Sequence, residues 1–362
     1  MNKIGIYIHI PFCKSKCPYC DFYSLQNRND LKNDFIESVI REIDSKNGVS
    51  CDTIYLGGGT PSVLGKDIVR IIEKAKEKFS FSKGEITVEV NPSSCTADFL
   101  KSLSDAGVNR LSIGMQSFNE NERKILGRKS SPDEITKIIN EAHRVSINNI
   151  SLDVMLGIPE QTDESLIKTL DFCASSGVTH ISTYILKIEE NTFFYNHPER
   201  YVFPDEDRCA ALYELCCSYL EDNGFHQYEI SNFSKEGFES RHNLKYWNCE
   251  EYLGFGPSAH SFYNGRRFFH EGNLASYIEN PLVTVDDGEG GSFEEFVMLR
   301  LRLSDGLTEE DSLKRFGKKI PEEMRKNSIP FSDNGYLISD EKGIRLTKKG
   351  FLISNYIISE LI

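Results

Sequence analysis

The chain has 362 residues, of which 39% are hydrophobic, and carries 42 Lys and Arg against 55 Asp and Glu. A chain of this length buries a sizeable core without disulfides, and its ordinary apolar content excludes disorder. The net charge of −13 argues against a generic nucleic-acid binder, and no apolar run nears the roughly 18 residues of a membrane span.

The first predicted element is a buried strand over Ile4–Ile10, in "MNKIGIYIHIPFC". No small-residue cleavage site follows it, so it does not read as a signal peptide, and a reducing, cytoplasmic location is expected. Directly after it, "CKSKCPYC" spaces Cys13, Cys17 and Cys20 as C-x3-C-x2-C. The scattered Cys51, Cys95, Cys173, Cys209 and Cys249 read as small buried residues, as does the helical pair Cys216 and Cys217.

Beyond the cysteine loop, helical and β-branched stretches alternate. A helix is predicted over Leu31–Ser45, a strand over Thr53–Leu56, a helix over Lys66–Phe79 and a strand over Glu85–Val90. Helix Ala97–Ala106, strand Arg110–Gly114, helix Pro132–Val145 and strand Asn149–Leu156 follow. Helix Glu164–Ser176, strand His180–Leu186 and helix Glu206–Asn223 complete the series. "DAGV" and "SSGV" supply helix stops. Six such units imply a parallel sheet covered by helices, a partial (β/α)6 barrel rather than a closed eight-stranded one. Polar motifs begin where the apolar runs end: "GGGTPS", "EVNPSS", "GMQSF", "DVMLGIPEQT" and "TYILKIEEN". In parallel α/β folds the site forms at the strands' carboxyl ends, so one shared site on one rim is expected.

The pattern changes in the turn-rich "DDGEGGS". Two helices in "SFEEFVMLRLRLSDGLTEEDSLKRF", a hairpin around Glu341-Lys342-Gly343 and a terminal helix read as a winged-helix-like module. The expected division is residues 1–285 for the barrel and 286–362 for this small C-terminal domain. Ser312 to Gly350 holds ten Lys and Arg against five Asp and Glu, read as a solvated face with a weak RNA or partner contact as the alternative.

Three thiols on one loop admit three chemistries. A structural zinc site wants four ligands, and a C-x2-C redox pair leaves Cys13 unexplained. A [4Fe–4S] cube held by three thiolates keeps one iron open to a further ligand. The spacing after "YIHIPF" resembles the radical S-adenosylmethionine (AdoMet) superfamily. That resemblance implies that AdoMet chelates the fourth iron and that an electron from the cluster cleaves its sulfonium to give a 5′-deoxyadenosyl radical.

The other rim residues suit such a ligand. Gly57 to Thr60 lack Cβ atoms on three positions, so backbone can approach a ligand closely. Glu89 and Asp153 can accept bonds from an ammonium or ribose hydroxyls, and Gln116 can donate and accept. Arg128 can clamp a carboxylate, and Tyr19 can stack near an adenine. Each also reads as an ordinary structural residue when taken singly.

The motifs "YIHIPFCKSKCPYCDF", "LGGGTPS", "EVNP", "RLSIGMQSFNE", "DVMLGIPEQT", "YEISNFS", "SRHNLKYW" and "YLGFGPSAHS" resemble, nearly end to end, the oxygen-independent coproporphyrinogen oxidase group, and within it the haem-chaperone branch. The resemblance implies that Tyr7, Tyr19, Gly58, Gly59, Thr60, Glu89, Gln116, Arg128 and Asp153 line AdoMet. It also implies a chaperone that binds haem and passes it to acceptor proteins, with a reductant such as flavodoxin or ferredoxin as a further partner. The alternative is a radical enzyme acting on a porphyrinogen. Against it, Phe22 stands where the oxidase carries an extra cysteine, and the chain starts at the first strand without the oxidase's N-terminal extension. His242 in "RHNLKYWN" is the first candidate for the haem ligand, beside Tyr246 and Trp247, and His260 in "GPSAHS" is the second. Cys216, Cys217 and His226 are weaker, and His9 is expected to serve the cluster surroundings or AdoMet.

Overall fold

The computed structural model describes residues 3–26 and 28–362. Six consecutive β/α units form its centre: strands β1 (Ile4–Ile10), β2 (Cys51–Gly58), β3 (Glu85–Val90), β4 (Arg110–Gln116), β5 (Asn149–Leu156) and β6 (His180–Ile185) pair in sequence order, each parallel to the next. The fold is the α/β partial barrel that the alternation predicts.

The sheet extends past these six on both sides. On one flank β6 pairs with an antiparallel hairpin of β7 (His226–Glu229) and β8 (Asn232–Ser234). On the other, β9 (Tyr252–Phe255) lies parallel to β1 and leads outward through β10 (His260–Tyr263), β11 (Arg266–Phe269) and β12 (Val285–Glu289). Twelve strands therefore run in the order β12-β11-β10-β9-β1-β2-β3-β4-β5-β6-β8-β7. The added strands have three to five residues each, too short to show a period in sequence. The expected boundary after residue 285 falls inside β12.

Alternation along the strands assigns the two faces. Ile6, Ile8, Ile54, Leu56, Ile86, Val88, Leu111, Ile113, Leu152 and Val154 are each at most 1% exposed and form the core with the helices. Those helices begin at side-chain caps: Thr96 accepts from Phe99 N, Ser131 forms a capping box with Glu134, and Thr162 accepts from Ser165 N. The opposite parity is polar: Tyr7 and His9, Thr53 and Tyr55, Glu85, Thr87 and Glu89, Arg110 and Ser112, Ser151 and Asp153, His180 and Ser182. Parallel strands buried on both faces ordinarily read as continuous apolar runs. Here one face is a lining for polar chemistry.

A short helix, α1 (Arg241–Trp247), covers that lining at the strands' amino ends. Its His242 N–H donates to Glu85 Oε1 at 3.0 Å and its Lys245 Nζ pairs with Asp52 at 3.0 Å. The C-terminal unit holds helices α2 (Phe293–Arg300), α3 (Glu309–Phe316) and α4 (Glu322–Asp333), with a three-stranded sheet of Leu307–Thr308, Gly343–Leu346 and Leu337–Asp340. Three helices, the last leading into a hairpin, make it winged-helix-like. Helix α4 escapes sequence reading because Pro330 interrupts its pattern. Among the described residues no helix is long and apolar enough to cross a membrane.

Candidate cofactor and ligand site

The cysteine loop leaves β1 and is held over the rim by β2. Gly59 N donates to Ile10 O and Thr60 N to Phe12 O, both at 2.8 Å. Thr60 Oγ1 lies 3.4 Å from Cys13 Sγ, and Cys20 N donates to Cys17 O. All three cysteines are unpaired and partly exposed. Burial, followed by the neighbouring Cys17 and Cys13, pushes the Cys20 thiol up against a backbone hydrogen bond at Phe22 that pulls it down. Among the described residues no three Cys, His, Asp or Glu side chains converge as the ligands of one ion do.

Below this loop lies a narrow cleft of about 70 Å³, lined by Gly59, Thr60, Glu89, Ser112, Arg128 and Asp153 among others. It brings together residues from the carboxyl ends of four strands and the loop after β4. Glu89 accepts from Tyr55 Oη at 2.7 Å and from Gly58 N at 3.2 Å. Asp153 accepts from Ser112 Oγ at 3.0 Å. Burial pushes the Glu89 carboxyl up to about 7 and Asp153 up to about 6, and their mutual repulsion adds to the rise at Glu89. Two carboxyls so placed gain from a cation that restores their charge. The two carboxylates could accept from the ammonium and hydroxyls of AdoMet, of which a cleft this small takes only a part; when bound, AdoMet would supply a reductively cleavable C–S bond.

Arg128 donates from Nε and Nη2 to Tyr19 Oη at 3.2 and 2.7 Å, which ties the cleft to the cysteine loop. Tyr19 thus reaches the site through Arg128. Gln116 sits at a β-bulge with φ +73°, behind Gly114, and its buried Oε1 has no partner. Tyr7 and Gly58 line the neighbouring cavity rather than the cleft, with Tyr7 Oη 3.1 Å from His9 Nδ1. The glycines answer to their neighbours more than to open space. A Cβ on Gly58 would lie 2.5 Å from the His9 ring, and one on Gly59 would lie 2.8 Å from the carbonyls of Ile10 and Phe12. The "GIPEQT" motif braces its own turn: Gln161 accepts from Gly157 N and donates to Met155 O.

The neighbouring cavity is larger, about 460 Å³, and shares Glu89 with the cleft. Tyr7, Phe22, Tyr23, Tyr246 and Tyr252 give it aromatic walls, and His260 stands at its edge. Of the two histidines singled out by sequence, only His260 is exposed to it. Its ring stacks on Phe269 at 5.0 Å. His242 lies one layer behind the wall, 1% exposed. Its Nδ1 is bonded to Thr53 Oγ1 at 2.9 Å and its Nε2 to Tyr246 Oη at 2.7 Å, so neither nitrogen is free as the chain stands. The sequence position of "RHNLKYW" carries no sign of this inward turn, which Glu85 fixes by accepting from the first N–H groups of α1. His9 is buried and faces Gly58, bonded to Tyr7 and to Tyr23 O. Cys216 and Cys217 are core residues. Tyr55 and Ser112, which hold the two carboxyls, escaped sequence reading. Their signal is the alternate-residue register with Glu89 and Asp153.

A parallel sheet carrying a three-cysteine loop and a carboxylate cleft at its carboxyl rim defines a radical AdoMet type of scaffold. The radical SAM superfamily profile matches residues 7–173, and the HemN C-terminal domain profile matches residues 293–353. The chain is 34% identical to the heme chaperone HemW of Bacillus subtilis over 370 residues, covering 96% of each. It is 36% identical to heme chaperone HemW of Escherichia coli over 281 residues, 76% of this chain and 73% of that one. The chain therefore belongs to the HemW family within the radical SAM superfamily. The solved structure of the E. coli coproporphyrinogen III oxidase HemN superposes with a TM-score of 0.85, covering 99% of this chain and 90% of that one at 22% identity, which establishes the shared fold.

Proposed function

We propose that the chain is a haem chaperone that binds haem and transfers it to acceptor proteins. Cys13, Cys17 and Cys20 hold a [4Fe–4S] cluster, and Gly59, Thr60, Glu89, Arg128 and Asp153 contact AdoMet, with Tyr7, Tyr19, Gly58 and Gln116 around them. The observation that carries the haem reading is the aromatic cavity beside the cysteine loop. Its volume is within the roughly 300–1,000 Å³ of ligand sites, and its walls suit a flat apolar ring. A histidine of this wall takes the iron. His260 is ready as it stands, while His242 reaches the cavity once its bond to Tyr246 opens. Phe22, in the position of the oxidase's extra cysteine, lines the same cavity and is 59% exposed, which favours apolar packing over thiol chemistry there. A small electron carrier such as flavodoxin or ferredoxin is the fitting reductant for the cluster, and the winged-helix-like unit beginning after β12 is a separate surface for partners.

The test is haem titration of the anaerobically reconstituted chain, followed by absorbance, with His242→Ala and His260→Ala alongside. Stoichiometric binding lost in one variant supports the reading and assigns the ligand. Absence of binding, together with anaerobic decarboxylation of coproporphyrinogen III, would move the function to the radical enzyme.

A further inference from the structure

Arg110 opens β4 on the polar face, in register with Thr87 of β3 and two residues before Ser112. Its side chain is 2% exposed, yet its Nε and Nη1 have no hydrogen-bond partner, and neither does Oγ1 of Thr87, itself fully buried. A buried guanidinium is strongly disfavoured unless its donors and its charge are both answered. Unpartnered donors and a hydroxyl side by side fit ordered water, which needs about two to four polar partners. The charge is answered by carboxylates. Glu85 lies toward the strands' amino ends, and Asp153 and Glu89 lie toward the rim. Tyr55 of β2, Tyr228 of β7, His180 of β6 and His242 of α1 also face it. Burial keeps these tyrosines protonated and these histidines neutral.

We propose that Arg110 is a positioning residue for the cofactor cleft: a buried guanidinium with two unpartnered donors, two residues below the Ser112 that holds Asp153 and lies in register with Glu89, which organises the polar lining behind both carboxyls through ordered water. The inference rests on the reading that these two carboxyls face AdoMet. Arg128 also faces Asp153 and is tied to Tyr19 at the cysteine loop, whereas Arg110 faces both carboxyls from the inner side. Burial raises both carboxyls while Arg110 pulls them back. Without Arg110 both would lose their protons only at higher pH, and less anion would face the ligand near neutrality. Tyr7 and Tyr246, which also face Glu89, stay protonated there.

The experiment is equilibrium dialysis of AdoMet against the anaerobically reconstituted full chain between about pH 5.5 and 7.5, where carboxyls raised this far titrate. Wild type, Arg110→Met, Arg110→Gln and Arg110→Lys are compared, with cluster absorbance and circular dichroism to report folding. Affinity should rise with pH in the wild type. In the two neutral variants the midpoint should move up by about one unit, with about tenfold weaker binding below it. Arg110→Lys keeps the charge and should stay within about threefold of wild type, since charge matters here more than the guanidinium fork. Neutral variants that carry the cluster and keep the wild-type midpoint would overturn the proposal. Failure of both neutral variants to fold while the Lys variant folds would also overturn it, by assigning Arg110 to stability. A wild type that binds no AdoMet at any pH would remove the cofactor reading, and this inference with it.

Discussion

Replacing Gly58 by Ala should destabilise the chain far more than the same change at Gly48, and the structure gives the difference. Both glycines have left-handed φ, +102° at Gly58 and +71° at Gly48. An L-residue in that region costs about 1–2 kcal/mol, offset by about 0.4–1 kcal/mol of lost freedom in the unfolded chain. Gly48 has open space where a Cβ would sit, so its cost ends there. At Gly58 the new Cβ would lie 2.5 Å from Cε1, 2.6 Å from Nδ1 and 2.9 Å from Nε2 of His9. That ring cannot move freely: Nδ1 is bonded to Tyr7 and Nε2 to Tyr23 O. Giving up two hydrogen bonds adds about 1 kcal/mol each, so Gly58→Ala should lose about 2–4 kcal/mol in total against about 1.6 kcal/mol or less for Gly48→Ala. Paired thermal or urea melts of the cluster-free proteins measure the difference. The Gly58 variant should also bind AdoMet more weakly, because Gly58 N donates to Glu89. Coincident melts of the two variants would refute the packing explanation for the glycine.

Replacing Cys13, Cys17 or Cys20 by Ala should each abolish cluster iron and absorbance after reconstitution, because two thiolates cannot hold the cube. Cys216→Ala should keep both, and full iron in all three loop variants would end the cluster assignment. Glu89→Gln should stabilise the AdoMet-free chain at pH 8 by about 1–3 kcal/mol. The folded carboxyl, raised by burial from 4.5 to about 7, holds a proton that the unfolded one gives up. Stability from it is present below pH 4.5 and lost as pH rises through 7. The same variant should weaken AdoMet binding, and an unchanged melting point at pH 8 would contradict the raised carboxyl. His242, pushed down by burial to about 3, with Lys245 and Arg110 adding to the fall, has the opposite sign. Its contribution is present above about pH 6.5 and lost toward 3, at up to about 1.4 kcal/mol per pH unit. His242→Gln should therefore show a flatter loss of stability between about pH 6.5 and 4, and an equal slope would mean that the histidine takes up a proton while folded.

The six central strands are legible because β-branched residues alternate with polar ones and turn residues stop each helix. The flanking strands are not, because "YLGF", "HSFY" and "RRFF" acquire their strand character only from neighbours in the sheet. The proposed cluster ligands are legible for the opposite reason, since all three lie on one loop and their spacing after "YIHIPF" carries the resemblance to the radical AdoMet superfamily. The AdoMet candidates come from separate strand ends, and their convergence needs the register that sets Gly114 beside Asp153 and Ser112 beside Glu89. Orientation is the hardest to read. Seven residues of helix suffice to turn His242 inward onto Tyr55, at 5.1 Å between rings, and no periodicity emerges over so short a span. The "GGGT" run is legible as functional, but ligand approach is only part of its cause: the adjacent His9 ring and the loop carbonyls already occupy the Cβ positions.

The polar lining explains how the fold can host such a site. Unsatisfied polar groups on a buried face would be costly, yet most of these are joined to one another. Ser151 bonds His180 at 2.7 Å and His180 bonds Tyr228 at 2.8 Å. Thr53, His242 and Tyr246 form a second chain that ends at the aromatic cavity, while Tyr55 and Ser112 anchor the two carboxyls of the cleft. The apolar parity of the same strands packs the helices and supplies the stability that the lining forgoes. One period-two pattern thus separates the two tasks: alternate residues hold the sheet to its helices, and the residues between them hold a charge-bearing interior open toward the cysteine loop.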